Sequence, residues 1–163
     1  MDRKVIWSYE AKDAYKALKK IEANTEIGIS SNEYSKLLAD GKFEFNLYAE
    51  SPGAKVELKE AFASTFNHYK IAKEYWDLKL ANRHHYYAAP LQISSPNSPH
   101  ARLKKKVLEI IASDPELNKP LKEGGIIVQS DHMQVTIDLD RLIQYHWIRA
   151  SGELRKIPAL LTQ

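Results

Sequence analysis

The chain contains no cysteine, which excludes disulfide scaffolds, thiol nucleophiles, cysteine-ligated zinc and iron–sulfur clusters. It also lacks a long apolar run, since none approaches the roughly 18 residues of a membrane-spanning helix. Near the N-terminus, Asp2-Arg3-Lys4 is followed by only Val5-Ile6-Trp7 before polar residues return, which is too short for a signal peptide. We therefore expect a cytoplasmic protein; an extracytoplasmic chain whose export signal had been trimmed would look the same.

Motifs of common enzymatic chemistry are missing as well. Gly124-Gly125 is not followed by the Lys-Ser or Lys-Thr of a phosphate-binding loop, and no Gly-x-Ser-x-Gly nucleophile elbow occurs. Carboxylate pairs such as Glu57 and Glu60 fall on a charged helical surface, where solvation explains them. The sequence therefore predicts no catalytic residue and favours a protein that is not an enzyme.

The six histidines do not form a metal-binding pattern. His84 and His85 are adjacent, so on a helix they point about 100° apart and do not chelate one ion easily. No histidine follows a glutamate at the Glu-x-x-His spacing of di-iron bundles. A site assembled from the distant His68, His100 and His132 is the remaining alternative. We predict no metal and no cofactor.

What is present is globular composition, with 44% apolar and 28% charged residues in a chain of 163. That length suits one domain with a substantial core, so we predict a single domain over residues 1–163. The net charge of +3 neither requires nor excludes a nucleic-acid partner, because nucleic-acid-binding proteins usually concentrate basic charge on one face.

Apolar residues at three- and four-residue steps predict helices in the N-terminal half. Ser8 is expected to cap a first helix over 9–23, while residues 1–8 are left open between helix and a short strand. Ser30 to Glu33 has the spacing of a capping box and starts a second helix. Residues 42–48 also alternate like a strand, but Gly41 keeps the helical stripe in phase and would let a neighbouring helix approach. We favour the helix. The predicted stripe is Tyr34, Leu38, Gly41, Phe45 and Tyr48.

Ser51-Pro52-Gly53 ends the second helix, and a long third helix follows over about 54–84. Its stripe is Leu58, Phe62, Thr65, Tyr69, Ala72, Trp76 and Leu80. Together these two helices predict a helical hairpin core over 30–85.

The C-terminal portion, 100–163, is predicted to be mixed. Three prolines and four serines predict a loop over 88–99, and a fourth helix follows to about Ala112. Residues 126–129 and 133–137 predict a β-hairpin, and helical spacing returns from Leu139 to Leu154. The predicted fold is mainly α: an antiparallel helical bundle with a long third helix and a small C-terminal β-hairpin.

Cationic and aromatic residues cluster where the long helix ends. Such groups can stack bases, hold phosphates or anchor a protein interface, although positive side chains also suit a helix C-terminus. A basic run on the fourth helix is a second candidate for binding, because lysines can contact phosphates. The alternative explanation is that these lysines only form the solvent-exposed side of that helix. The predicted binding residues are Trp76, Arg83, His84, His85, Tyr86, Tyr87, Lys104, Lys105 and Lys106.

Two pieces of the sequence, residues 5–11 (Val-Ile-Trp-Ser-Tyr-Glu-Ala) and residues from His100-Ala101-Arg102-Leu103-Lys104 through Pro115 to Leu121, resemble parts of small RelE-like ribonuclease toxins. In that family a short strand and two helices precede a sheet. The resemblance implies that basic residues, with His132 or His146, meet RNA.

Three functional hypotheses result. The first is a non-enzymatic helical interaction domain that binds a protein partner or itself through the long helix and its aromatic end. The second is a basic nucleic-acid-binding protein or RelE-like ribonuclease that uses Arg83 to His85 and Lys104 to Lys106. The third is a small-ligand carrier, with a pocket lined by Tyr69, Tyr75, Trp76, Tyr86 and Trp147.

Overall fold

The computed structural model describes residues 7–81, 91–93, 105, 109, 112, 127–130 and 135–160. This part of the chain is mainly helical, as predicted. None of the described helices is both long and apolar enough to traverse a bilayer. The elements, in chain order, are α1 (Tyr9–Ile27), α2 (Ser31–Glu50), α3 (Val56–Ala81), β1 (Leu91–Ile93), β2 (Ile127–Ser130), β3 (Val135–Ile137) and α4 (Leu139–Leu160).

The first two helices begin where their capping residues predict. The Ser8 hydroxyl accepts a hydrogen bond from the backbone N–H of Ala11. The Ser30 hydroxyl accepts from the backbone N–H of Glu33, whose carboxylate accepts from the Ser30 N–H, so the predicted capping box is confirmed. Helix α1 runs past its predicted end at residue 23, because no helix breaker occurs before Gly28, whose φ of 95° favours glycine.

Helix α2 is continuous through residues 42–48, so the helix prediction for this segment is confirmed and the strand alternative is wrong. Gly41 lies where α1 and α2 meet. A Cβ atom at Gly41 would lie 3.3 Å from Cδ1 of Ile21, which is tighter than ordinary van der Waals contact. The missing side chain therefore allows the close approach of helices that the sequence predicts.

The buried faces follow the predicted stripes with small shifts. Helix α2 buries Leu37, whereas Leu38 of the predicted stripe is only partly buried, and α3 buries Tyr75 in place of Trp76. Trp147 in α4 is also only partly buried. A helical stripe can advance by three or four residues at each step. The choice between neighbouring positions is therefore made by the packing partners and not by the periodicity.

The chain divides into two compact units. In the first, residues up to Glu74 pack with residues from Gln144 onward, which brings together α1, α2, most of α3 and most of α4. The buried apolar side chains of this unit are Ala11, Ala14, Leu18, Ile21, Tyr34, Leu37, Tyr48, Leu58, Phe62, Tyr69, Ala72, Ala150, Leu154 and Ile157.

The second unit lies between Tyr75 and Ile143 and contains a three-stranded antiparallel sheet in the order β1-β3-β2. Strand β1 falls within the predicted loop over 88–99, so that prediction is wrong at Leu91–Ile93. There the apolar–polar–apolar alternation is β-prone and the segment pairs with β3. Strands β2 and β3 pair antiparallel, but residues 131–134 lie outside the described residues, so the hairpin stays a prediction.

The fourth helix predicted from the sequence is described at only three positions. Lys105, Glu109 and Ala112 are helical and exposed. Because Lys105 and Glu109 are four residues apart and Glu109 and Ala112 are three apart, they share one helical face, and that face is exposed to solvent. The rest of this predicted helix lies outside the described residues, and the single-domain assignment stays a prediction.

Candidate interaction surface

Two of the predicted binding residues lie in the described part of the chain. Trp76 is partly buried in α3. Lys105 is exposed, as expected if the basic run lies on the solvent-exposed side of its helix. The others lie outside the described residues, so binding at the aromatic end of the long helix stays a prediction. These others are Arg83, His84, His85, Tyr86, Tyr87, Lys104 and Lys106.

Tyr34 joins three helices inside the first unit. Its hydroxyl donates a hydrogen bond to the backbone carbonyl of Tyr69 over 2.8 Å and accepts one from Nε1 of Trp147 over 3.0 Å. The Tyr34 and Trp147 rings also meet edge to face, with centroids 6.0 Å apart. Burial raises the pKa of Tyr34 well above its usual value, which keeps the phenol protonated as a donor. The polar N–H of Trp147 is thus engaged inside the fold.

Tyr69 presents a different case in the same interior. Its side chain is fully buried, and its hydroxyl has no hydrogen-bond partner among the described residues. Burial raises the pKa of Tyr69, and the nearby Glu22 carboxylate adds to the rise. Tyr69 and Trp147 are two of the five residues predicted to line a ligand pocket. The contacts of Tyr34 with the Tyr69 carbonyl and the Trp147 N–H tie both residues to the packing of helices.

A pair of histidines connects α3 to α4. Nδ1 of His68 and Nδ1 of His146 lie 3.0 Å apart, so one ring donates a hydrogen bond to the other. His146 is only 3% exposed, and burial lowers its pKa to about 4, with smaller contributions from His68 and Arg149. Burial also lowers the pKa of His68, and the Glu153 carboxylate partly opposes that shift. Both imidazoles are therefore neutral at pH 7.

Glu22 is the buried carboxylate of the first unit. Burial alone would raise its pKa, but hydrogen bonds from Lys19 and Ser151 outweigh it, so the pKa is lowered and the group is ionised. The Ser151 hydroxyl, on α4, donates a hydrogen bond to the Glu22 carboxylate. The Lys19 ammonium, which lies on α1 like Glu22, donates another. This network ties α1 to α4. Within the described residues, no group of three histidine, aspartate or glutamate side chains is placed to hold a metal ion.

Helix α2 carries an apolar pair on the side that faces solvent. Phe43 is 60% exposed and Leu47 is 44% exposed, and their four-residue spacing places the two side chains next to each other. Exposed residues at further three- and four-residue steps extend this strip in both directions. We call this strip the outer face of α2; it consists of Lys36, Asp40, Phe43, Leu47 and Glu50.

Other exposed apolar side chains in the described part of the chain are spread over several helices. Tyr9 and Ile27 lie at opposite ends of α1, Val56 starts α3, and Ile148 lies on α4. Single exposed apolar residues are normal on a protein surface. Phe43 and Leu47 differ because they are adjacent on one helical face.

Sequence reasoning did not identify the outer face of α2. The signal was present, because Phe43 and Leu47 do not belong to the stripe formed by Tyr34, Gly41 and Tyr48. In the alternating segment 42–48 they supported the strand alternative. Once the segment is helical, the same two residues must point away from the core.

Comparison of the chain with protein-family models, curated proteins and solved structures finds no match. Any functional proposal therefore depends on the described geometry.

Proposed function

We propose that the chain is a non-enzymatic interaction domain that binds a protein surface, a second copy of itself included, through the outer face of α2. The observation that carries the proposal is the exposed pair Phe43 and Leu47. Aromatic and aliphatic side chains that remain in water in the free protein gain most when a partner covers them, at about 25 cal/mol per Å² of apolar surface buried.

The polar groups of the interior support binding over catalysis. The Tyr34, Glu22 and His146 side chains each contact another helix, and they hold the packing of the first unit together. In this proposal the four helices form an antiparallel bundle, since short connections join α1 to α2 and α2 to α3. The bundle acts as a rigid support that presents one helix face.

The test compares the wild-type chain with a double variant, Phe43→Ser with Leu47→Ser, by sedimentation velocity from about 10 µM to about 1 mM. We expect concentration-dependent association in the wild type and its loss in the variant. Both proteins should show the same helical circular dichroism, because the two side chains are exposed. A variant with Ala63→Ser, an exposed position on α3, serves as the control and should associate like the wild type.

A heterologous partner is tested in the cells that produce the chain. A photo-crosslinking phenylalanine analogue replaces Phe43 in one sample and Ala63 in the other. A covalent protein adduct at position 43 that is absent at position 63 supports the proposal. A wild-type chain that stays monomeric at about 1 mM and gives no adduct specific to position 43 would overturn it.

A further inference from the structure

Two opposite charges on the outer face of α2 lie at equal distances from Phe43. Lys36 lies seven residues before Phe43 and Glu50 lies seven residues after it. Lys36 and Glu50 are both exposed. Lys36 therefore has Glu50 at its mirror position about Phe43.

This arrangement matters for two identical helices that pair across a twofold axis. In such an antiparallel pair, a residue at a given distance before the centre faces the residue at the same distance after the centre on the other copy. With Phe43 at the centre, Lys36 of each copy faces Glu50 of the other. The two Phe43 rings meet on the axis.

Other registers place like charges together. Moving the centre to midway between Phe43 and Leu47 brings Asp40 opposite Glu50. Moving it to midway between Asp40 and Phe43 brings Glu33 opposite Glu50. A parallel pair in register would put every charge opposite its own copy. Because like-charge contacts disfavour the wrong pairings, the charge pattern selects the antiparallel register centred on Phe43.

We propose that the partner of the outer face of α2 is a second copy of the same face, paired antiparallel about Phe43, with Lys36 and Glu50 forming two reciprocal ion pairs. This inference rests on the proposed function and specifies its partner. The strip from Lys36 to Glu50 is about 22 Å long at 1.5 Å per residue. One such strip is a smaller contact than the roughly 1,000 Å² of a stable interface, so we expect a weak dimer.

The decisive experiment uses two charge reversals, Lys36→Glu and Glu50→Lys, measured alone and mixed at about 50 mM salt, where surface charges are poorly screened. Alone, each variant places like charges opposite each other twice, and we expect its self-association to weaken about tenfold relative to the wild type. In an equimolar mixture, each copy meets the opposite charge on the other, so association returns to the wild-type level. Sedimentation equilibrium with one variant fluorescently labelled measures the mixed dimer.

Net charge does not explain that recovery. Lys36→Glu lowers the net charge from +3 to +1 and Glu50→Lys raises it to +5, so the two variants repel each other overall. A matched control replaces Lys36→Glu by Lys20→Glu, an exposed reversal on α1 with the same net charge. Mixing Lys20→Glu with Glu50→Lys leaves one opposite-charge and one like-charge contact, so this mixed dimer should form more weakly than the dimer of Lys36→Glu with Glu50→Lys. The double variant Lys36→Glu with Glu50→Lys should dimerise like the wild type on its own.

The outcomes separate this inference from the proposed function. If association is lost in the Phe43 and Leu47 variant but unchanged by the charge reversals, the antiparallel register is wrong. The proposed function as an interaction domain would not be affected by that result. A wild-type chain that stays monomeric at about 1 mM would overturn the copy-to-copy pairing. The photo-crosslink at position 43 then decides the proposed function separately.

Discussion

The interior of the first unit contains a few polar groups, whereas the outer face of α2 exposes two large apolar side chains. Inside, a histidine pair, a carboxylate and a tyrosine hydroxyl lie in contact with other helices. Outside, Phe43 and Leu47 remain in water. These three interior groups form hydrogen bonds across helices, whereas Phe43 and Leu47 are apolar and exposed. Under the proposed function, the interior contributes to stability and the outer face of α2 binds the partner.

Two phenylalanines of the first unit make this comparison measurable. Phe62 is fully buried on α3, where its ring meets Tyr48 edge to face at 5.3 Å, and Phe43 is 60% exposed on α2. Replacing each by alanine removes the same atoms from opposite environments. The predicted effects on stability and association therefore run in opposite directions.

The largest expected effect is that of Phe62→Ala on stability. Loss of the ring leaves a cavity beside Tyr48, and such substitutions cost about 3–5 kcal/mol. Urea denaturation followed by circular dichroism measures the change in the free energy of unfolding. Leu47→Ala, on the outer face, is the control and should change that free energy little. A loss below about 1 kcal/mol for Phe62→Ala would contradict the burial of this ring.

The second prediction concerns acid and the histidine pair. The folded-state pKa of His146 is about 4, below the usual value of 6.5, so the unfolded state binds protons first as the pH falls. The associated stability is fully present above about pH 6.5 and is lost as the pH falls toward 4. Between pH 7 and pH 5 the expected loss from His146 is about 2 kcal/mol, at 1.36 kcal/mol per pH unit. Urea denaturation at both pH values measures it.

The control for the acid effect is His146→Gln, which removes the titrating group. Whatever the free energy of unfolding of this variant at pH 7, its dependence on pH between 7 and 5 should be much weaker than in the wild type. Arg149 and Glu153, which lie near the pair, are present in both proteins, so they do not account for a difference in slope. Equal slopes in the wild type and in His146→Gln would contradict a buried, neutral His146.

Much of the helical architecture could be predicted from residues close together in the chain. Ser30 and Glu33 form a capping box from their spacing alone, and Gly41 fits the stripe that places it against α1. Strand β1 could not be predicted in this way, because Leu91–Ile93 becomes a strand by pairing with β3, far along the sequence.

The contacts between helices in the interior depend on distant residues even more strongly. His68 and His146 are separated by 78 residues, and no spacing rule relates them. The exposure of Phe43 follows only after residues 42–48 are known to be helical and the buried side of α2 is known. The apolar pair is visible in the sequence, but whether its side chains point into the core or toward solvent depends on whether the segment is a strand or a helix.

The smallest expected effect is that of Phe43→Ala on stability, and it sharpens the comparison most. Because the ring is largely in water in the free chain, its removal should change the free energy of unfolding by less than about 0.5 kcal/mol when measured in dilute solution. The same substitution should abolish association near 1 mM, since the ring lies at the centre of the proposed pairing. Phe62→Ala, compared at a urea concentration where it remains folded, should retain association. A Phe43→Ala protein that loses several kcal/mol of stability would mean that the ring belongs to the core, and the contrast between the two regions would then disappear.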